Sequence, residues 1–93
     1  MKKFFYRVQK GDSILSISNR FLVPFYDLIA KNNLKAEVQA GDLLVIECPN
    51  SVYKVKPMQT YFDIAKEVGK TGEQLKILNA NLTYLFYGII INV

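Results

Sequence analysis

The chain has 93 residues, 51% apolar and 22% charged, with only 5 Gly and 3 Pro. That composition excludes a disordered or low-complexity chain and leaves room for one small domain or two very small modules. It contains no His, no Trp and one Cys, which removes the usual raw material of Ser-His-Asp and Cys-His triads, of His- or Cys-based zinc sites and of a disulfide framework. The net charge of +4 divides evenly, with seven basic and five acidic residues in 1–47 and five and three in 48–93. A mild, dispersed excess of this kind is not the dense Lys/Arg footprint of a nucleic-acid binder, so no nucleic-acid partner is expected.

In chain order, Lys2 and Lys3 imitate the opening of a signal peptide, but the apolar run Phe4-Phe5-Tyr6 ends at Arg7, far short of the roughly seven residues an h-region needs. The expectation is a chain without a cleavable signal, cytoplasmic as synthesised. Alternation at Phe5-Tyr6-Arg7-Val8 predicts a short strand. Gly11-Asp12-Ser13 supplies a turn and N-cap oxygens for a helix whose apolar face is Ile14, Ile17, Ser18 and Phe21. A second helix opens at Pro24 with Asp27 in its first turn and ends at Asn32. The run Leu43-Leu44-Val45-Ile46 reads as a strand. Cys48-Pro49-Asn50-Ser51 is turn-prone and suits a boundary, placing one unit at 1–48 and another at 49–93. Cys48 alone makes no internal disulfide, which favours a reduced compartment.

The second half repeats this order: a strand around Tyr53-Lys54-Val55, a helix begun by Thr60, a second begun by the capping box Thr71-Gly72-Glu73-Gln74 and ended by Asn79, then a strand over 89–93. The longest apolar tract, 85–91, is far below the ~20 residues that span a bilayer and reads as core or interface. An ungapped offset of 47 maps Tyr6 to Tyr53, Val8 to Val55, Ile17 to Ile64, Leu28 to Leu75, Asn32 to Asn79 and Gly41 to Gly88. Because these identities fall on apolar positions and a turn glycine, the chain is two copies of one strand-helix-helix-strand unit. The predicted fold class is α+β: two βααβ units, each a two-stranded antiparallel sheet with two helices on one face.

Tyr6-x-Val8-x-x-Gly11-Asp12-Ser13-Ile14-x-x-Ile17-Ser18, followed by Leu28, Asn32, Leu34, Gly41 and Leu44-x-Ile46, closely resembles the LysM (lysin motif) domain. The second copy matches at Tyr53, Val55, Thr60, Ile64-Ala65, Leu75, Asn79, Gly88 and Ile91-x-Val93, but Met58-Gln59 replaces the Gly-Asp pair. The resemblance implies non-catalytic recognition of N-acetylglucosamine-containing glycans such as peptidoglycan or chitin, with no cofactor and no metal. It implies a shallow groove between the loop after the first strand and the loop before the last. The corresponding candidates are Gly11, Asp12, Ser13, Ile14, Asn33, Leu34, Lys35 and Ala36 in the first copy, and Thr60, Tyr61, Asn81, Leu82 and Tyr84 in the second. Gly11 would let backbone approach a sugar, and Ile14 or Leu34 would accept an acetamide methyl.

Each candidate also has a structural reading. Asp12 and Ser13 are expected first of all to cap the following helix, with backbone contact to sugar compatible with that duty. Asn32 and Asn79 are read as ties from a helix end to the following loop. Tyr61 and Tyr84 offer either a face for a sugar ring or burial against the neighbouring copy. Asp12 with Glu37 is the only carboxylate pair across the first groove, and its counterparts Gln59 and Tyr84 make a glycosidase improbable. Leu22, Phe25, Tyr26 and Ile29, with Phe86, Tyr87 and Ile89, form an apolar surplus. Phe25, Tyr26, Phe86 and Tyr87 are therefore expected to glue the repeats together, form a homo-oligomer or meet a protein partner. A protein-assembly module that has lost strong sugar binding is the alternative function. Recruitment to a cell wall or spore envelope would reconcile an unsignalled chain with a wall glycan.

Overall fold

The computed structural model describes residues 2–79 and 85–93. The candidates Asn81, Leu82 and Tyr84 lie outside them. Eight elements follow in the order β1 (Lys2–Arg7), α1 (Ile14–Phe21), α2 (Phe25–Lys31), β2 (Leu43–Cys48), β3 (Val52–Lys54), α3 (Tyr61–Val68), α4 (Gly72–Leu78) and β4 (Ile90–Asn92). β1 pairs antiparallel with β2 and β3 with β4, giving two separate two-stranded sheets. The 47-residue offset extends to the ladders: Arg7 faces Leu43 and Tyr6 faces Leu44, just as Lys54 faces Ile90 and Tyr53 faces Ile91. β1 begins at Lys2, three residues before the alternation read from sequence, because β2 runs to Cys48 and supplies partners that far.

Local chemistry accounts for the helices. Ser13 and Thr60 cap α1 and α3, and Thr71 caps α4, each in a reciprocal box with the residue three positions on. α2 starts behind Pro24 with no side-chain cap; the fixed φ of proline pre-sets the entry instead. α1 ends at Leu22 with φ 56°, where α3 ends at Gly69 with φ 73°. The copies thus keep a left-handed terminus although only one spends a glycine on it.

Neither sheet could persist alone in water, and each is closed by its own helices over its own core. The first core is Val8, Ile14, Ile17, Val23, Leu28, Val38, Leu44 and Ile46. The second is Val55, Tyr61, Ile64, Ala65, Leu75, Ile89 and Ile91. Phe25 packs against both. Its ring meets Phe86 edge-on at 5.5 Å and Tyr26 at 5.2 Å, an arrangement favoured by the ring quadrupoles. Three of the four surplus aromatics therefore form a seam between repeats, while Tyr87 is exposed. Polar contacts also join the seam: Asn19 Nδ2 donates to the Gly88 carbonyl at 3.1 Å, and Asn92 Nδ2 to Asp27 Oδ2 at 2.9 Å.

Candidate functional site

In the first repeat the two groove loops are 8–13 and 32–42. Paired bonds between Val8 and the second loop, Val8 N to Asp42 O and Gly41 N to Val8 O, both 2.8 Å, carry the sheet ladder up to them. Asn33 enters the left-handed region at φ 51°, and Leu34 N returns to the Ile29 carbonyl at 3.0 Å, so the second loop leaves α2 by a sharp turn. The loops are joined by Glu37, whose Oε1 accepts from Ile14 N at 2.6 Å and Val38 N at 3.0 Å. A carboxylate at the first amide of α1 satisfies an otherwise orphaned donor and complements the helix dipole. Gly11 has φ 90° and no atom within 4 Å of where a Cβ would stand, so its backbone is open to an approaching ligand. Lys35 and Ala36 are exposed, and Ser13 and Leu34 are half-buried, Leu34 lying against the first core.

Of the two residues read as acceptors of an acetamide methyl, Ile14 sits inside the core and Leu34 is half-buried at its edge. Tyr61 occupies the position of Ile14 in the second repeat and is likewise buried; among the described residues its hydroxyl has no hydrogen-bond partner, and burial pushes its pKa up. Its ring packs in the second core cluster. The residue after it, Phe62, is the exposed aromatic of that turn, with the Lys66 ammonium 4.5 Å from its ring centroid. The sequence places Phe62 at the end of the second groove loop, 58–62, and the 47-residue offset maps Leu15, outside the apolar face of α1, onto it. Thr60 is exposed and caps α3.

Asp12 does not cap α1; its N-cap is Ser13. Its Oδ2 accepts from the Tyr6 hydroxyl and from Gln9 N at 2.9 Å, and its Oδ1 from Arg20 at 2.8 Å. The Tyr6 hydroxyl, then the Gln9 amide and the Arg20 guanidinium, hold its carboxyl down to about 2. The second repeat rebuilds this cluster with altered charge: Gln59 takes the place of Asp12, accepting from Lys56 N at 2.8 Å and donating to Tyr53 Oη at 2.9 Å, while Glu67 replaces Arg20. Tyr53 donates to Glu67, and that bond, the largest cause, holds the Glu67 carboxyl below its usual value. Lys56 lies 3.5 Å from Glu67.

Asn32 and Asn79 are scaffold residues that tie each second helix to a closing strand rather than to the next loop. Asn32 Nδ2 donates to Leu28 O and Val45 O, and its Oδ1 accepts from Val45 N. Asn79 repeats all three bonds with Leu75 O, Asn92 O and Asn92 N. Among the described residues, no group of three or more His, Cys, Asp or Glu is arranged to hold a metal, and no helix is long and apolar enough to cross a membrane.

A fold of this kind, a βααβ unit with two loops meeting at one end of a small sheet, matches the family model described as LysM domain over residues 6–47 and 53–83. The chain belongs to the LysM family, whose domains are in general peptidoglycan- and N-acetylglucosamine-binding modules and not catalysts. Similar solved structures include two from spore-forming bacteria. The spore cortex-lytic enzyme SleL of Bacillus megaterium QM B1551 is 26% identical over 96% of this chain, with a TM-score of 0.48. The Bacillus cereus spore cortex-lytic enzyme SleL is 18% identical over the full chain, with a TM-score of 0.49. The present chain spans 22% of the length of each. No curated protein matches it.

Proposed function

We propose that this chain is a non-catalytic module binding N-acetylglucosamine-containing glycan, peptidoglycan or chitin-like, mainly through the first repeat. The observation that carries the reading is the Glu37 bridge, which holds residues 11–14 and 33–37 together around an open Gly11 backbone. Ser13, Asn33, Leu34, Lys35 and Ala36 then supply hydroxyl, amide and apolar contacts at one accessible edge. Family membership supports the same ligand class. A shallow site of this type holds a glycan at about millimolar affinity, or about 4 kcal/mol.

Catalysis is not part of the proposal, because the two carboxylates that face each other across the first groove, Asp12 and Glu37, are engaged. Asp12 is pinned by three donors and shifted toward stronger acidity, the opposite of what a general acid for glycoside cleavage requires. Glu37 spends one oxygen on two backbone amides. In the second repeat, Thr60 remains a groove candidate.

Titration of isotopically labelled protein with N-acetylglucosamine oligomers of increasing length, followed by amide shifts, tests this. Saturating, length-dependent shifts at residues 11–15 and 33–37 are expected, and parallel shifts at 60–62 would add the second groove. Silence at both grooves at millimolar ligand would overturn the glycan reading in favour of a protein-assembly role.

A further inference from the structure

The turn before β4 is seated on the helix that opens the groove of the first repeat. Asn19 Nδ2 donates to the Leu15 carbonyl at 3.0 Å and to the Gly88 carbonyl at 3.1 Å. One amide nitrogen thus holds a backbone group from the first turn of α1 beside a backbone group of repeat 2. Leu15 and Asn19 are four positions apart on one face of α1, a single helical turn of about 5.4 Å. Helical side chains lean toward the N-terminus, so Leu15, 37% exposed, leans from this contact toward groove residues 11–14. The 47-residue offset puts Lys66 at the position of Asn19, and Lys66 lies over Phe62 of its own helix. The bridging amide therefore belongs to the copy whose α1 carries a neighbour.

Tyr87 stands at the corner of this turn. Ile89 N returns to the Phe86 carbonyl at 3.4 Å, and Gly88 takes the φ of 94° that the third position of a type II turn requires. Gly88 N donates to Val55 O and Val55 N to Ile89 O, both at 2.9 Å, while the Phe86 ring meets Phe25 edge-on. The backbone of the corner is held from both sides, and the Tyr87 side chain is left 68% exposed. The first repeat closes the same turn around Ala40, with Asp42 N on Gln39 O at 3.0 Å and Gly41 at φ 98°. Neither turn geometry nor core burial calls for an aromatic at this corner. What distinguishes position 87 is the α1 of the other repeat beside it.

We propose, resting on the glycan reading of the first groove, that Tyr87 is an aromatic platform extending that groove across the repeat boundary. An N-acetylglucosamine oligomer held at residues 11–15 and 33–36 continues past Leu15 and lays a further sugar ring on Tyr87. A pyranose presents a face of C–H groups while its hydroxyls stay in water, and a phenol with an apolar body and a polar tip suits such a half-solvated contact. Because the turn is already pinned, the contact orders little backbone. It acts only on oligomers long enough to reach it, so the site discriminates by glycan length. Repeat 2 then serves the site of repeat 1 independently of its own groove.

Titration of the full labelled chain with the disaccharide and the hexasaccharide of N-acetylglucosamine tests this. With hexasaccharide, ring and amide signals of Tyr87 should shift on one saturation curve with residues 11–15 and 33–36; with disaccharide, those groove residues should shift and Tyr87 stay still. Tyr87→Ala, at an exposed corner, should keep the urea midpoint and far-UV circular dichroism. It should cut the affinity advantage of hexasaccharide over disaccharide by about fivefold, the worth of covering one ring face, whereas Tyr87→Phe should retain it. Four results would overturn the platform and leave the groove reading standing: groove shifts with Tyr87 silent, Tyr87 shifts that saturate with residues 60–62 instead of 11–15, a length advantage absent or unchanged in Tyr87→Ala, or one lost equally in Tyr87→Phe. No shift at any residue would remove both.

Discussion

Replacing Asn79 by alanine separates scaffold from ligand contact. Its amide donates to Leu75 O at 2.7 Å and Asn92 O at 3.0 Å, and its carbonyl accepts from Asn92 N at 2.8 Å. Leu75 O keeps a second donor in Asn79 N at 3.2 Å, so the losses that matter fall on the two backbone groups of Asn92. An orphaned donor costs about 1–3 kcal/mol and a lost neutral bond about 1 kcal/mol. Because Asn92 is half-buried and water reaches part of it, the expected loss is about 2–3 kcal/mol. For a domain of this size that lowers Tm by roughly 8–24 °C. Asn32→Ala cuts the matching bonds to Val45 and, being less buried, should cost somewhat less. Urea and thermal unfolding followed by circular dichroism measure both. Asn79→Asp is the sharper control: it keeps the acceptor for Asn92 N but turns a carboxylate toward two carbonyl oxygens, and should destabilise as well. The reasoning would be refuted if Asn79→Ala lost under about 0.5 kcal/mol, or if glycan binding fell while stability held.

Two further outcomes follow from the paired repeats. Leu22 and Met58 are non-glycine residues at φ 56° and 62°, in positions where the other copy has Gly69 and Gly11. Leu22→Gly and Met58→Gly should each stabilise by about 0.5–1 kcal/mol, and Gly69→Leu and Gly11→Met should destabilise by about 1 kcal/mol, measured by urea midpoint. The carboxyl of Asp12 lies at about 2 in the folded state against 3.8 ordinarily. A lowered folded value means its contribution is complete above about pH 4 and disappears as pH falls toward 2. Asp63, Glu47 and Glu67 are shifted in the same direction, so the test is the difference between wild type and Asp12→Asn. That difference should be constant near neutrality and shrink between pH 4 and 2; a difference that grows on acidification would contradict the assignment.

Much of this architecture is legible in the residues themselves. The offset of 47 identifies the unit, its helix starts and, in the ladders, the strand register, because a one-residue slip would turn Leu44 and Ile46 out of the core. The same offset contains the inward place of Tyr61 and the outward place of Phe62, since Ile14 and Leu15 already occupy those sides of α1. Within the groove loops it is less informative. Asp12 looks like a helix cap, and only the fold shows the Tyr6 hydroxyl and Arg20 converging on its carboxylate from β1 and α1. The bridge from Glu37 to Ile14 N spans 23 positions of chain and leaves no local pattern.

What the sequence by itself determined is therefore the repeated unit: short-range periodicity, capping chemistry and the paired asparagines act within some 45 residues and read the same way twice. What only the tertiary structure decided is how the two units meet. Leu43 and Ile90 are equivalent in the repeat and similar in chemistry, yet one is half open to solvent and the other sealed. Phe25, Tyr26, Phe86 and Tyr87 are all large and apolar, yet three lie in the seam and Tyr87 does not. Hydrophobicity drives such side chains out of water without direction. Which surface covers them depends on the shape and spacing of elements distant in the chain, and no local pattern contains that information.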